Sequence, residues 1–307
     1  MVSAQIQESN GMQTYCVLEN DHLKAEIFLP RGGEMIGLTD KKTGTQVIRQ
    51  VDGYREVYDR IIREKPRYYD DYMNEWTTGG WFEMFPHASR TIDNDPSGYC
   101  VHGDLRFSAC TAEILYLNKR EATVKVIARG FKVDLVHIRI YTIKENDRMV
   151  RVTEKVINKT GADLPIIWGH HPTFGTPFID DCDVEIAAKT IHGEDDMLPN
   201  AYPAWNGQDI RKTLPAQTEV KHRMLFLTGF EVGRYVIRNA ELGVALRVEW
   251  DAKTFPVIWS WNSRGGNGKL HDSFALEFVT GFPYNLKPER FILRKQHEAS
   301  YAFGFCA

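Results

Sequence analysis

The feature that most limits the fold is the period-two alternation between Phe107 and Asn158. Val124, Val126 and Ala128 alternate with Lys125, Ile127 and Arg129, and Val150, Val152, Glu154 and Val156 alternate with Arg151, Thr153 and Lys155. A strand sends successive side chains to opposite faces, so this pattern describes half-buried antiparallel strands and not helices. Turn chemistry separates them at Asn118-Lys119-Arg120, Glu145-Asn146-Asp147 and Asn158-Lys159-Thr160-Gly161. A shorter alternating run, Leu23 to Leu29, closes on Pro30-Arg31-Gly32-Gly33, and further strand patterns lie at Arg234 to Asn239, Val244 to Trp250, Val257 to Asn262, Phe274 to Val279 and Ser300 to Phe305. Long strands at regular spacing imply a large all-β sandwich of antiparallel sheets and not βαβ units. No repeat or linker divides the chain, so residues 1–307 read as one domain, with 43% hydrophobic residues to fill its core.

Two stretches break the rhythm. Tyr54 to Trp76 carries mixed charges with Tyr58, Tyr68, Tyr69, Tyr72 and Trp76, and reads as a helical or irregular lid over a sheet edge. Pro177 to Pro215, rich in acids, proline and glycine and holding Trp205, reads as a long excursion over a sheet face.

A formal charge of -3 supplies no field to gather nucleic acid or an anionic membrane, and neither is expected as a partner. Cys16, Cys100, Cys110, Cys182 and Cys306 are scattered and form no CxxC pair, so neither a disulfide framework nor a zinc knuckle is indicated. With a polar N-terminus and no apolar run of spanning length, the expectation is a cytoplasmic protein.

Candidate chemistry gathers first at Ile166-Ile167-Trp168-Gly169-His170-His171-Pro172-Thr173-Phe174-Gly175. Alternation places Ile167, Gly169 and His171 on one face and Trp168 and His170 on the other. Pro172 lacks an amide proton, so the strand is expected to end at the histidines, on a rim where they can meet a ligand. A second stretch, Gly79-Gly80-Trp81-Phe82-Glu83-Met84-Phe85-Pro86-His87, opens on a double glycine suited to a tight bend or a close approach. A third, His102-Gly103-Asp104-Leu105-Arg106, reads as another junction of loop and strand. The fourth is Glu277 within Phe274 to Val279. A carboxylate is costly to bury unpaired, and its face-mates Ala275 and Val279 are not a polar face, so Glu277 reads as serving a site.

Taken in order, Gly79-Gly80 with Phe85-Pro86, His102-Gly103 with Arg106, His-Pro-Thr-Phe at 171 to 174, and Leu276-Glu277 before Pro283 resemble the aldose 1-epimerase (galactose mutarotase) superfamily over nearly the whole chain. The resemblance implies a single β-supersandwich and a sugar as small-molecule substrate. It also implies catalysis by Glu277 as base and His171 as acid, and substrate contacts from His102 and Arg106. His170 is the rival for the acid role and, with Trp261, a further candidate substrate contact. Thr173 stands where better-known members have tyrosine, and His170 replaces a common asparagine. The superfamily's substrate-binding aspartate has no counterpart.

The reaction so implied needs these residue types. Interconverting α and β anomers requires a base for the C1 hydroxyl proton and an acid for the ring oxygen, so that the ring opens and recloses on either face. A carboxylate and an imidazole on opposite sides of C1, with a pyranose between them, supply both. No metal or organic cofactor is called for. Trp81, Trp205, Trp259 and Trp261 are candidates to stack on the sugar, and Arg31, Arg90 and Arg106 to bind a phosphorylated one. Two other readings are a metal-dependent sugar isomerase with His87, His102, His170, His171 and Glu277 as ligands, and a carbohydrate-binding protein without turnover.

Overall fold

The computed structural model describes residues 1–64, 78–88, 102–130, 132–193, 213, 221–265, 272–283 and 289–306. Among these, the alternating block forms the strands Thr111–Leu117, Glu121–Arg129, Leu135–Lys144 and Met149–Asn158, each antiparallel to the next. They continue through Gln296–Phe305, Val244–Trp250 and Gly233–Asn239 to Asp183–Ile186, completing an eight-stranded sheet.

A second, eleven-stranded sheet runs from Ser3–Ser9 through Met12–Glu19, Leu23–Phe28, Glu34–Asp40, Trp81–Met84, Gly169–Gly175, Ser273–Val279, Val257–Arg264 and Lys221–Thr228 to Thr190–Gly193, with Thr45–Gln46 beside Glu34–Asp40. Three of the chemistry-bearing stretches, distant in sequence, thereby become neighbouring strands at its centre. A two-stranded sheet pairs Leu164–Ile166 with Phe291–Leu293.

The two large sheets pack face to face. From the larger sheet, Trp81 meets Tyr301 and Phe303 of the smaller at ring-centroid distances of 5.8 and 5.1 Å, and Phe278 stacks on Trp250. Trp168, fully buried, fills the same layer beside Phe255. Aromatic contacts of this kind add to the area term of burial, which makes the interlayer the main apolar reservoir of the fold.

Threaded through that layer is a charged network. The Glu154 carboxylate receives His137 Nε2 at 3.1 Å and His170 Nε2 at 2.9 Å. These two imidazoles outweigh the cost of burial and hold its pKa down at about 2, so the carboxylate is ionised and both Nε2 atoms donate to it. Arg139 donates to Glu83 at 2.6 Å and to the carbonyls of Gly32 and Gly33, tying the turn at 30–33 to both sheets.

The break at Tyr54 is the helix Tyr54–Glu64, whose Val57, Tyr58 and Ile61 pack on Phe28 and Ile36. Tyr68, Tyr69, Tyr72 and Trp76 lie outside the described residues. The excursion after Pro177 contributes Asp183–Ile186 to one sheet and Thr190–Gly193 to the other. The cysteines Cys16, Cys110, Cys182 and Cys306 form no disulfide with one another. No helix among the described residues is long and apolar enough to cross a membrane.

One expectation is corrected. The double-histidine strand does not end at its histidines but runs on to Gly175, with Pro172 paired to Trp81. The proline is tolerated because pairing on the other side is interrupted: Gly169 faces Val279 and Thr173 faces Ala275, with no ladder pair between them. The rim forecast from Pro172 is instead a gap within the sheet.

Candidate active site

On the face of the larger sheet turned away from the interlayer, four adjacent strands each contribute one side chain to a single row. Phe82 pairs with His171, the register between Gly169–Val279 and Thr173–Ala275 sets His171 opposite Glu277, and Glu277 pairs with Trp259. His171 Nε2 lies 3.3 Å from Glu277 Oε1. The imidazole stacks on Phe82, 4.6 Å between centroids and 16° from coplanar, and its Nδ1 lies 3.0 Å from Thr173 Oγ1. Trp261, two residues along from Trp259 and half-buried, is 6.2 Å from the imidazole.

Local backbone chemistry brings in the remaining side chains. His102 takes a left-handed conformation (φ 66°), and Gly103 follows with φ 82°, where any Cβ would strike the Phe85 carbonyl. This turn sets the His102 ring 5.1 Å from His171 and 5.4 Å from Phe82. A single 3-10 turn, Leu105–Phe107, then lays the Arg106 guanidinium over the Phe82 ring at 3.3 Å. Phe82 is thus shared by His171 and Arg106. Behind it Glu34, fully buried, lies 3.5 Å from Arg106 Nη2 and 3.3 Å from Arg31 Nε, and accepts from Thr78. Gly80 permits this approach, since a Cβ there would overlap the Glu34 carboxylate.

Electrostatically, burial governs the row. Glu277, only 3% exposed, has its pKa raised well above the ordinary carboxylate range by desolvation. His171 is lowered well below the usual imidazole value by desolvation, then by His102 and Arg106. His102 is lowered to about 4 by burial and by His87. Burial thus favours the uncharged form of each group, a carboxylic acid beside an imidazole, with one exchangeable proton between them. That composition contains one acid and one base.

The structure brings together His171, Glu277, His102, Arg106 and Trp261, and it corrects four sequence expectations. His170 faces the interlayer with no exposed surface, bonded to Glu154, and does not line the row; alternation along the strand requires this once His171 faces outward. His171 and Glu277 are in contact, so no pyranose fits between them; strands in one sheet lie too close together to hold their opposed side chains apart. Trp81, by the same alternation, belongs to the interlayer. The five metal ligands cannot surround one ion, because His170 lies behind the sheet; the described group with suitable spacing is Glu83, Glu154 and His170, whose carboxylates already hold Arg139 and His137. Arg90 and Trp205 lie outside the described residues.

Sequence reasoning missed Phe82 and Glu34. Phe82 was legible as the face-mate that Trp81 excludes, whereas Glu34 follows a turn glycine and carries no local signal.

Residues 68–290 match the model of DUF4432, a domain of unknown function, over most of the chain. The chain belongs to the DUF4432 family. No curated protein matches this DUF4432 chain in sequence. Its fold is shared with solved structures. A "putative aldose 1-epimerase" of Klebsiella pneumoniae superposes with a TM-score of 0.78 at 12% identity, covering 99% of this chain and 83% of that one. A galactose mutarotase-like protein of Clostridium acetobutylicum gives 0.67 at 14% identity, covering 99% and 98%. A galactose mutarotase related enzyme of Lactobacillus acidophilus gives 0.63 at 14% identity, covering 96% and 98%. The two packed sheets of this DUF4432 chain are accordingly the β-supersandwich of galactose mutarotase-like proteins.

Proposed function

We propose that this chain is an aldose 1-epimerase-like enzyme that interconverts the α and β anomers of a sugar by acid–base ring opening and reclosure. The observation that carries the reading is the contact between His171 Nε2 and Glu277 Oε1 at 3.3 Å. A hemiacetal presents two oxygens on one carbon, the ring oxygen and the anomeric hydroxyl. Two catalytic groups side by side can each reach one of them from the same flank.

In the reactive form Glu277 is the carboxylate and His171 the imidazolium, reached from the resting pair by transfer of the shared proton. Glu277 accepts the proton of the C1 hydroxyl while His171 Nε2–H donates to the ring oxygen. The C1–ring oxygen bond breaks, the aldehyde forms, and rotation about the adjacent C–C bond presents either face for reclosure with the two transfers reversed. Protons and electrons balance without any further reactant. His102 and Arg106 supply donors at the ring's polar edge, and Phe82, Trp259 and Trp261 an apolar surface for its C–H face.

The test is a screen of freshly dissolved α-anomers of neutral, acidic and phosphorylated sugars, followed by polarimetry and by NMR saturation exchange. Accelerated approach to anomeric equilibrium supports the reading and names the substrate class. Saturable binding with no acceleration for any sugar would identify a carbohydrate-binding protein on the same scaffold.

A further inference from the structure

Because Nε2 is the nitrogen that faces Glu277, it is the one that must lose and regain a proton. The proton on the opposite nitrogen, Nδ1, then has to stay in place through the cycle. An imidazole is a mixture of two neutral tautomers unless something outside the ring selects one. In the tautomer protonated on Nε2, a neutral His171 could not receive a proton at that position, and exchange with Glu277 would stop.

Nδ1 has a neighbour suited to this selection. Thr173 Oγ1 lies 3.0 Å away, on the same strand and two residues along, so period-two geometry keeps both side chains on one face. The threonine is 2% exposed, which keeps water from competing for the ring nitrogen. Phe82, stacked on the flat of the imidazole, fixes the ring plane so that its two nitrogens point along the strand to Thr173 and across the sheet to Glu277. A hydroxyl is also a milder acceptor than a carboxylate, so it selects the tautomer without stabilising the imidazolium strongly.

We propose that Thr173 is a positioning residue that accepts the Nδ1–H of His171 and so holds Nε2 as the proton-exchanging nitrogen. This rests on the pairing of His171 with Glu277 described above, and it assigns a role to a side chain at a position where the resemblance led to tyrosine.

The decisive experiment is nitrogen-15 NMR of the full chain labelled at histidine, at a pH where His171 is neutral, with His171→Asn used to assign its signals among the ten histidines. The expected result is a protonated Nδ1 and an unprotonated Nε2, with the two shifts moving toward a mixed average in Thr173→Val and returning in Thr173→Ser. A wild-type imidazole protonated on Nε2, with Thr173 donating to Nδ1, would overturn the proposal, as would shifts unchanged in the valine variant. This readout needs no substrate, so it stands or falls apart from the proposed reaction. If an anomerised sugar is found, Thr173→Val should lower kcat about tenfold or more with little change in KM, short of the ~10²-fold or greater loss on removing an acid or base outright, and serine should restore it.

Discussion

His171 and Glu277 stand directly opposite one another on adjacent strands, Nε2 to Oε1 at 3.3 Å, where the ladder between those strands is interrupted. Both groups are buried, and burial drives them in opposite directions, the carboxyl upward and the imidazole downward. Alone and exposed, the carboxyl would hold no proton near neutrality. Together they keep one in play.

Replacing either member should therefore abolish exchange while sparing recognition. Glu277→Gln and His171→Asn are each expected to slow anomerisation by ~10²- to 10⁴-fold, with sugar affinity within a few fold, measured by NMR saturation exchange and by calorimetric titration. Near-normal exchange in His171→Asn would remove that residue from the chemistry.

The pH profile follows from the same directions. His171 is lowered, so the pair stays singly protonated until the pH falls well below the usual imidazole value; there both groups bind protons and the base is lost. Glu277 is raised, so the shared proton persists to a pH well above the usual carboxylate value, beyond which the acid is lost. A plot of kcat/KM against pH should show a broad plateau with both limbs displaced outward, the alkaline limb belonging to Glu277. An acid limb at the ordinary histidine value would contradict this account.

His170 should behave as a structural residue. In His170→Ala the buried Glu154 loses one of its two donors, and leaving a buried carboxylate short of a hydrogen bond costs on the order of 1–3 kcal/mol or more. The expected outcome is a large drop in denaturant midpoint, with the turnover of the remaining folded protein close to normal. A stable His170→Ala protein with strongly reduced turnover would reverse the assignment.

Acid should act on the fold through Glu154. Its folded-state pKa of about 2 lies below the ordinary 4.5, so its stabilisation is fully present above the unfolded value and is lost as pH falls from there toward 2. A depression of that size corresponds to a few kcal/mol at most. Urea midpoints measured between pH 6 and about 2.5 should fall more steeply for the wild type than for Glu154→Gln.

Much of this was open to a reader of the sequence, because period two is a strong signal when strands are long. The alternation from Phe107 to Asn158 yields four strands of the smaller sheet, and the parity of Ala275, Glu277 and Val279 groups the glutamate with two apolar face-mates. The spacing between His171 and Glu277 was not legible: it depends on which strands become neighbours and in what register, and both follow from long-range packing. Pro172 misled for a related reason. A missing N–H forbids a ladder bond only on one side, and nothing local reveals that the partner strand has no bond to offer there. Arg31, Arg106 and Glu34 converge from two loops and a strand start, where no periodicity exists to read.

The adjacency of His170 and His171 has a consequence for how such a chain can diverge. One residue holds the charged network at the heart of the fold and the next meets the outer row, so a single insertion or deletion between Gly169 and His171 would exchange their places, stranding an apolar or reactive group on each side at once. Drift in this strand is confined to replacements that respect its spacing. The loops beyond the sheet edges carry no such double obligation.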